Sequence, residues 1–337
     1  MLASISAVAL DSPTNHAPRR ILVESAMDAM EKYTGVERGY RRAHPRGLVC
    51  RGSFVATPAV RELSVAEHFQ GGAVPVLVRL SNAAGSPRAP DHVSSTGQVL
   101  GLAVRFELPS GKVASWAAVN LPSFLARTPD DFVRLTTALK PSWFGKPNLL
   151  RILFYLLSRP SAFPAFWATV TMRAPASFAE VRFNGIHTYV LVDAKGGRHP
   201  FRYHWAPRAM AAKLSRTHVN TLPQQYLLQE LRSRLTAGAQ QWDLVLHFPE
   251  PGDPLDDATR RWPDERRTVL AGTLTVDRVD DDQRAREPLV FDPTGVVPGI
   301  ELSGDPLLGF RAEVYGESHH RRTHEARERE APPDMGQ

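Results

Sequence analysis

Cysteine is almost absent from this chain, and a long hydrophobic run is absent altogether. The single Cys50 excludes an intramolecular disulfide, so nothing in the composition requires an oxidising compartment. The most apolar run, from Leu149 to Leu157, is less than half of the roughly 20 residues that a membrane span needs, and Arg151 interrupts it. The mildly apolar start, from Met1 to Leu10, has no basic leader before it. These absences predict a cytoplasmic protein without an export signal.

The chain also lacks a basic helix and a basic stripe interleaved with aromatic residues. Its net charge is +6, and most of its basic residues are Arg, which are distributed along the sequence. A nucleic-acid-binding protein is expected to gather such residues on one face, so that class of function is disfavoured. The three His residues between His319 and His324 are flanked by Arg, which disfavours a metal site made from that cluster.

Eight segments have the apolar patterns and turn boundaries that are typical of β-strands. They cover residues 49–57, 74–82, 101–108, 112–119, 184–193, 198–205, 242–248 and 267–279. Helical patterns precede the first segment (21–33), follow the fourth (129–140 and 148–158) and follow the sixth (224–235). This order predicts an α+β protein built on an eight-stranded antiparallel β-barrel with inserted and flanking helices.

A short predicted helix near the end of the chain carries Arg311, Tyr315 and His319. Residues four apart lie on the same face of a helix, so these three side chains are expected to be neighbours. A guanidinium beside a phenol favours the ionised phenolate, because an opposite charge stabilises the charged form. A phenolate is a suitable ligand for a hard, high-valent metal ion.

This segment resembles the proximal signature of the haem catalases, in which an Arg precedes the ligand Tyr by four residues. The resemblance includes Arg322 after Tyr315 and extends upstream, through Phe291-Asp-Pro, Pro298-Gly-Ile, Ser303 and Asp305. It implies that Tyr315 binds the iron of a haem, most simply haem b. It also implies that His187 and Asp305 are hydrogen-bonding partners of Arg311, with Asp305 holding the guanidinium.

The first half of the chain resembles the distal half of the same family. Arg41, His44 and Gly47 match the segment that carries the distal His, and Ser81 matches the Ser that hydrogen-bonds this His. The resemblance implies that His44 transfers protons during peroxide cleavage. By the same resemblance, Asn120 is the distal amide, Phe132 packs over the haem, and three guanidiniums neutralise the haem propionates: Arg41, Arg79 and Arg322.

The chain departs from full-length catalases in ways that favour a different balance of activities. It lacks their long arms and is similar to the small catalase-related peroxidases. Ala43 and Ala83 replace bulkier Val residues, and Gln98 replaces an acid of the access channel. The resemblance therefore implies a wider pocket, and a peroxidase that reduces hydrogen peroxide, and organic peroxides where they fit, with small organic donors and has weak residual catalase activity.

Three alternatives stay open at this stage: a true catalase, a non-catalytic haem-binding protein, and an enzyme similar to allene oxide synthase. Ala43 disfavours the last, because that variant carries Thr before its distal His. We expect a flexible N-terminus (1–20), one catalase-like haem-binding domain (21–325) and a charged tail (326–337). A homodimer is among the oligomeric states that we expect.

Overall fold

The computed structural model describes residues 16–83, 86–93, 96–140, 148–210, 212 and 214–330. Most of the predicted flexible N-terminus (residues 1–15) and of the predicted tail (331–337) therefore lies outside the described residues. The first helix, α1, begins at His16 rather than at Ile21. The last helix, α9, spans Pro306–Glu330 and crosses the predicted start of the tail.

Eight antiparallel strands form a closed barrel, which confirms the predicted architecture. Around the barrel the strand order is β7-β6-β5-β2-β1-β10-β9-β8, and pairing of β8 with β7 closes the ring. The strands are β1 (Arg46–Ala56), β2 (Ala73–Asn82), β5 (Leu100–Glu107), β6 (Val113–Val119), β7 (Phe183–Val192), β8 (Arg198–Pro207), β9 (Gln240–His247) and β10 (Thr268–Val279). Every predicted strand is present, with ends that differ by up to three residues.

The barrel forms because alternate residues of each strand are apolar and fill its interior. In β9, Trp242, Leu244 and Leu246 are buried while the residues between them are more exposed. They join Trp116 and Trp205 in one continuous core. Burial of such side chains is the main favourable contribution to folding.

Three very short strands were not predicted. Two of them, β3 (His92–Val93) and β4 (Thr96–Gly97), pair only with each other, and β11 (Ile300–Leu302) extends the sheet beside β7. Segments of two or three residues are too short for an alternating pattern to be recognised. They are strands only because each forms backbone hydrogen bonds with a neighbouring segment.

The helices before the barrel, after β6, after β8 and at the end of the chain agree with the sequence prediction, whereas one-turn helices after β1 and after β10 were not predicted. They are α1 (His16–Thr34), α2 (Pro58–Arg61), α3 (Pro129–Ala138), α4 (Leu149–Ser158), α5 (Phe163–Thr171), α6 (Arg216–Val219), α7 (Tyr226–Ala237), α8 (Gln283–Arg286) and α9 (Pro306–Glu330). Side-chain caps start several of them: for example, Thr128 accepts from the Asp131 amide at the start of α3, and Asn148 accepts from the Arg151 amide at the start of α4. Within the described residues, no helix is long and apolar enough to cross a membrane.

Helix α9 is much longer than the short helix that the sequence predicts, because contacts with distant residues hold its second half. The buried Arg42 guanidinium binds both Glu31 of α1 and Glu325 of α9. Arg321 of α9 also contacts α1, because its Nη1 donates to Asp28 Oδ1 at 2.9 Å and lies 3.1 Å from Glu31 Oε2. The first half of α9 packs its apolar side chains against those of α1. Together these contacts fix α9 against α1.

Candidate active site

A large cavity lies between α1, α9 and the strands β2, β5 and β6. The residues that carry the sequence prediction contribute polar groups to its lining, and the rest of the wall is mostly apolar. The polar members from the first half of the chain are Arg41, Arg42, His44, Arg79 and Ser81, and those from α9 are Arg311, Tyr315, Ser318 and Arg322. Residues that are nearly 280 positions apart in the sequence therefore face one space.

His44 is held in place by its backbone, by Ser81 and by Gly101. Among the non-glycine residues that the structure describes, only His44 has a positive φ, of 52°, a conformation that is uncommon outside glycine. Its Nδ1 lies 3.0 Å from Ser81 Oγ. A Cβ on Gly101 would lie 2.9 Å from His44 Cε1, so this strand position must be glycine for the ring to fit.

The surroundings of His44 favour its neutral form. Burial, with a further contribution from the nearby Arg79 and Arg311 charges, lowers the pKa of His44 to about 3. Ser81 Oγ can donate to the Gly101 carbonyl at 3.5 Å. Its oxygen then accepts the Nδ1 proton of His44, which leaves the other ring nitrogen, Nε2, as the free base.

Arg311 and Tyr315 form the contact that their spacing predicts. Arg311 Nη2 donates to the Tyr315 hydroxyl oxygen at 2.6 Å. Burial alone would lower the pKa of Arg311, but its hydrogen bond and charge interaction with Tyr315 raise that pKa above its usual value. The guanidinium therefore stays charged beside the phenol oxygen, the arrangement that stabilises a phenolate.

Asp305 binds His187, and not Arg311 as the sequence resemblance implied. Its Oδ2 lies 2.7 Å from His187 Nδ1, and its Oδ1 accepts the Leu307 amide at 2.9 Å. Asp305 begins the turn into α9, so its carboxylate caps the helix start and faces β7 rather than the later residue Arg311. His187 is fully buried, which lowers its pKa although Asp305 opposes that change, and the charge on Arg311 lowers it further.

Three guanidiniums converge on one part of the cavity. Arg41 forms an ion pair with Glu287, and Arg79 Nη2 donates to the His44 carbonyl at 2.8 Å. Arg322 Nη2 donates to the Pro288 carbonyl at 3.0 Å, while its buried Nε has no partner among the described residues. Burial and the neighbouring Arg41 charge lower the pKa of Arg79 to about 9 and that of Arg322 to about 10. One carboxylate faces three cations here, so the cluster is suited to bind further negative charge.

Comparison with models of protein families agrees with the resemblance that the sequence shows. The family model described as Catalase matches residues 20–329, which is most of the chain. This chain belongs to the catalase family. The match includes every polar residue of the cavity described above.

Among curated members of the family, small proteins match along nearly their whole length. A catalase-related peroxidase of Mycolicibacterium paratuberculosis is 33% identical over 312 residues, which cover 92% of this chain and 97% of that protein. A catalase-related peroxidase of Synechococcus elongatus is 30% identical over 326 residues, with 96% and 95% covered.

Longer catalases match over a smaller share of their own length. A catalase of Vibrio vulnificus strain YJ016 is 30% identical over 297 residues, which cover 82% of this chain but 57% of that protein. The crystal structure of a fungal catalase superposes with a TM-score of 0.77 at 19% identity, covering 96% of this chain and 66% of that one. The fungal structure supports the shared fold.

The catalase-family cavity contains no amide from Asn120, which corrects that part of the sequence prediction. Asn120 Oδ1 accepts the Leu100 amide at 2.9 Å, and Nδ2 donates to the Gln98 carbonyl at 3.2 Å. The side chain thus ties the end of β6 to the start of β5 and faces a second cavity. Successive residues of a strand point to opposite faces, and it is the preceding Val119 that lines the main cavity.

Phe132 and Ala43 line the cavity as the sequence predicts, but the other two departures from the family pattern do not. Phe132 stacks on Phe124, with ring centroids 6.3 Å apart and planes 13° apart. Ala43 precedes His44 in the wall. Ala83 and Gln98 are not among the lining residues, so their effect on the size of this cavity is indirect at most.

Sequence reasoning missed several residues that shape the site. Met27 and Met30 of α1 line the cavity, and Glu287 binds Arg41. The spacing of Met27 and Met30 places them on the buried face of an amphipathic helix, which could have suggested packing but not which cavity they face. No local pattern indicates the role of Glu287, because its partner is 246 residues away.

Proposed function

We propose that the protein is a haem-dependent peroxidase that reduces hydrogen peroxide with small organic electron donors and has weak residual catalase activity. One observation carries this proposal: one cavity brings together His44, held by Ser81, and the phenol of Tyr315, held by Arg311. Haem binding alone would not need the His44–Ser81 pair. The catalase-related peroxidases of similar length support the same class of activity.

The polar groups of the cavity fit a haem. Tyr315 would bind the iron through its phenol oxygen, with Arg311 balancing the negative charge. Arg41, Arg79 and Arg322 would bind the propionates, and the unpaired buried Nε of Arg322 is a donor that such a carboxylate would satisfy. Phe132 would pack against the porphyrin. When bound, the haem would supply the redox centre at which the peroxide O–O bond is cleaved, and haem b is the simplest form that we propose.

The residues of the chain would then move the protons. His44 is neutral at physiological pH, so its free Nε2 can accept a proton from hydrogen peroxide and return it to the departing oxygen. Ser81 fixes the ring orientation and keeps the first proton on Nδ1. Asp305 and His187 act at a distance from peroxide, by holding the start of α9 and hence the position of Tyr315.

The apolar wall beside His44 supports peroxidase rather than catalase chemistry. Catalase turnover requires a second peroxide to be oriented as a reductant, for which a side-chain amide is suited. Here Val119 occupies the wall, together with four alanines: Ala43, Ala103, Ala117 and Ala118. Small apolar side chains leave room for an organic donor and offer peroxide few hydrogen bonds. True catalase activity is the second candidate, because His44, Ser81 and Tyr315 are all present.

The first experiment compares the absorption spectra of purified wild type, Tyr315→Phe and Tyr40→Phe, where Tyr40 is a control tyrosine outside the cavity lining. We expect a ferric haem spectrum with a phenolate charge-transfer band in wild type and in Tyr40→Phe, and loss of that band in Tyr315→Phe. Failure of wild type to take up haem would refute the proposal.

The second experiment adds hydrogen peroxide with and without an organic donor, while donor oxidation and oxygen release are recorded together. Donor oxidation faster than oxygen release is the expected result. The reverse order of rates would select true catalase. Turnover by His44→Gln at the wild-type rate would contradict the assigned proton transfer.

A further inference from the structure

Helices α4 and α5 both expose large apolar side chains to solvent. Eight large apolar side chains on these helices are each 45 to 75% exposed: Leu149, Leu150, Leu153, Phe154, Leu157, Phe163, Trp167 and Val170. We call this set the α4–α5 face. On α4 its members recur every three or four residues, and on α5 they recur after four and three. Each helix therefore turns one apolar side outward.

The opposite sides of the two helices are well anchored, so their outward orientation is fixed. Tyr155 of α4 is buried, and its hydroxyl donates to the Leu125 carbonyl at 2.6 Å. Ala162 and Tyr155 pack in a small core with Leu135 and Ala138 of α3. Rotating α4 to bury its leucines would expose this core and break that hydrogen bond. Exposed apolar patches of this kind usually mark an interaction surface.

The segment of the chain that carries the α4–α5 face has charged residues of one sign only. No Asp or Glu occurs between residues 132 and 179, whereas six basic residues do: Arg134, Lys140, Lys146, Arg151, Arg159 and Arg173. Their number equals the net charge of the whole chain, +6, so the remainder of the chain is neutral. Arg159 pairs with Asp131, while Arg134, Arg151 and Arg173 are exposed. The stretch of chain that carries the α4–α5 face thus holds exposed positive charge and no acidic residue.

We propose that the α4–α5 face docks onto an anionic lipid bilayer. Exposed Leu, Phe and Trp beside Arg and Lys are the features of helices that lie in the membrane interface. Phe163 and Trp167 stack with ring centroids 6.3 Å apart, and aromatic rings favour the headgroup level. A second copy of the chain would bring the same excess of positive charge to the contact, which disfavours self-association through this face. The inference is independent of the proposed chemistry.

The test is sedimentation of the full-length protein with sucrose-loaded vesicles. One vesicle type contains phosphatidylcholine and phosphatidylglycerol in a ratio of about three to one, and the other contains phosphatidylcholine alone. We expect binding to the anionic vesicles at low salt and much weaker binding to the neutral vesicles. Trp167 should also be quenched by brominated lipids, and this quenched component should disappear in Trp167→Phe.

Two variants separate the contributions of apolar and charged groups. The combination Leu150→Ser, Phe154→Ser and Trp167→Ser should weaken binding at least about tenfold, because it removes apolar area from the bilayer contact. The pair Arg151→Gln and Arg173→Gln should weaken it about 25-fold, since each basic residue near an anionic surface is worth about a factor of five.

The matched control replaces three exposed apolar residues elsewhere: Ile21→Ser, Val55→Ser and Met210→Ser. It should bind like wild type, and thermal melting should show that all variants are folded. Absence of wild-type binding to anionic vesicles would overturn the proposal, as would equal loss in the control. Self-association would replace the proposal if wild type formed dimers in the absence of lipid and the Leu150/Phe154/Trp167 variant did not.

Discussion

The buried His68 should make the stability of the protein depend on pH, and His68→Phe should remove that part of the dependence. His68 is completely buried among aromatic rings, stacked on Phe106 at 4.7 Å and close to Phe69 at 4.3 Å. Neither of its ring nitrogens has a hydrogen-bond partner among the described residues. Burial lowers the pKa of His68 from 6.5 to about 3.

The direction of the effect follows from the lowered pKa. Below pH 6.5 the unfolded chain binds a proton at His68, whereas the folded protein does not until the pH approaches 3. The contribution to stability is therefore complete above pH 6.5 and is lost progressively as the pH falls. Between pH 7 and pH 4 this single group should lower the free energy of unfolding by about 3 kcal/mol.

The assay is urea unfolding of wild type and His68→Phe at pH 7 and pH 4. The total loss of stability in wild type should exceed the contribution of His68 alone, because the pKa of His44 and that of His204 are also lowered to about 3. The loss in His68→Phe should be smaller by about 3 kcal/mol. Comparing the two pH values within each protein cancels the change in packing that the larger ring causes. The exposed His218→Phe serves as control, and an equal loss in wild type and His68→Phe would refute the reasoning.

Three further predictions concern the cavity. Gly101→Ala should reduce peroxide turnover about 100-fold with haem retained, because the new methyl group lies 2.9 Å from His44 Cε1 and displaces the ring. Arg322→Leu should weaken haem retention about tenfold, measured by transfer to apomyoglobin, because a charge-assisted hydrogen bond is lost. Ala43→Val should lower kcat/KM about tenfold for bulky donors and less for small donors, because it narrows the wall of the cavity.

Each of these variants has a matched control. Gly316→Ala also lies near the site, but its added methyl meets open space, so its turnover should be unchanged. Arg278→Leu, the control for Arg322→Leu, removes an exposed arginine. Ala83→Val, the control for Ala43→Val, makes the same change of residue type outside the cavity lining. The proposed roles would be contradicted by full turnover in Gly101→Ala, by normal haem retention in Arg322→Leu, or by equal effects of Ala43→Val on all donors.

The barrel and the Arg311–Tyr315 pair could be predicted because their signals are local. Strand alternation depends on neighbouring residues, and each apolar face has to be buried wherever the strand lies. The four-residue spacing of Arg311 and Tyr315 fixes their contact once a helix forms, and the hydrogen bond of 2.6 Å agrees with it. The resemblance to catalases then related distant segments that spacing alone could not.

The tertiary structure decided which partner each polar group finds. Asn120 was predicted to face the cavity, but the alternation of β6 points Val119 there and leaves the Asn120 amide to the β5 backbone. Asp305 forms a hydrogen bond with His187, and Glu287 forms an ion pair with Arg41, which is distant in the sequence. Sequence thus determined the elements, the barrel and the types of residue at the site, because these depend on short-range periodicity and composition. Only the folded chain determined side-chain direction and long-range pairing, because a shift of one strand position or one turn exchanges the groups that meet.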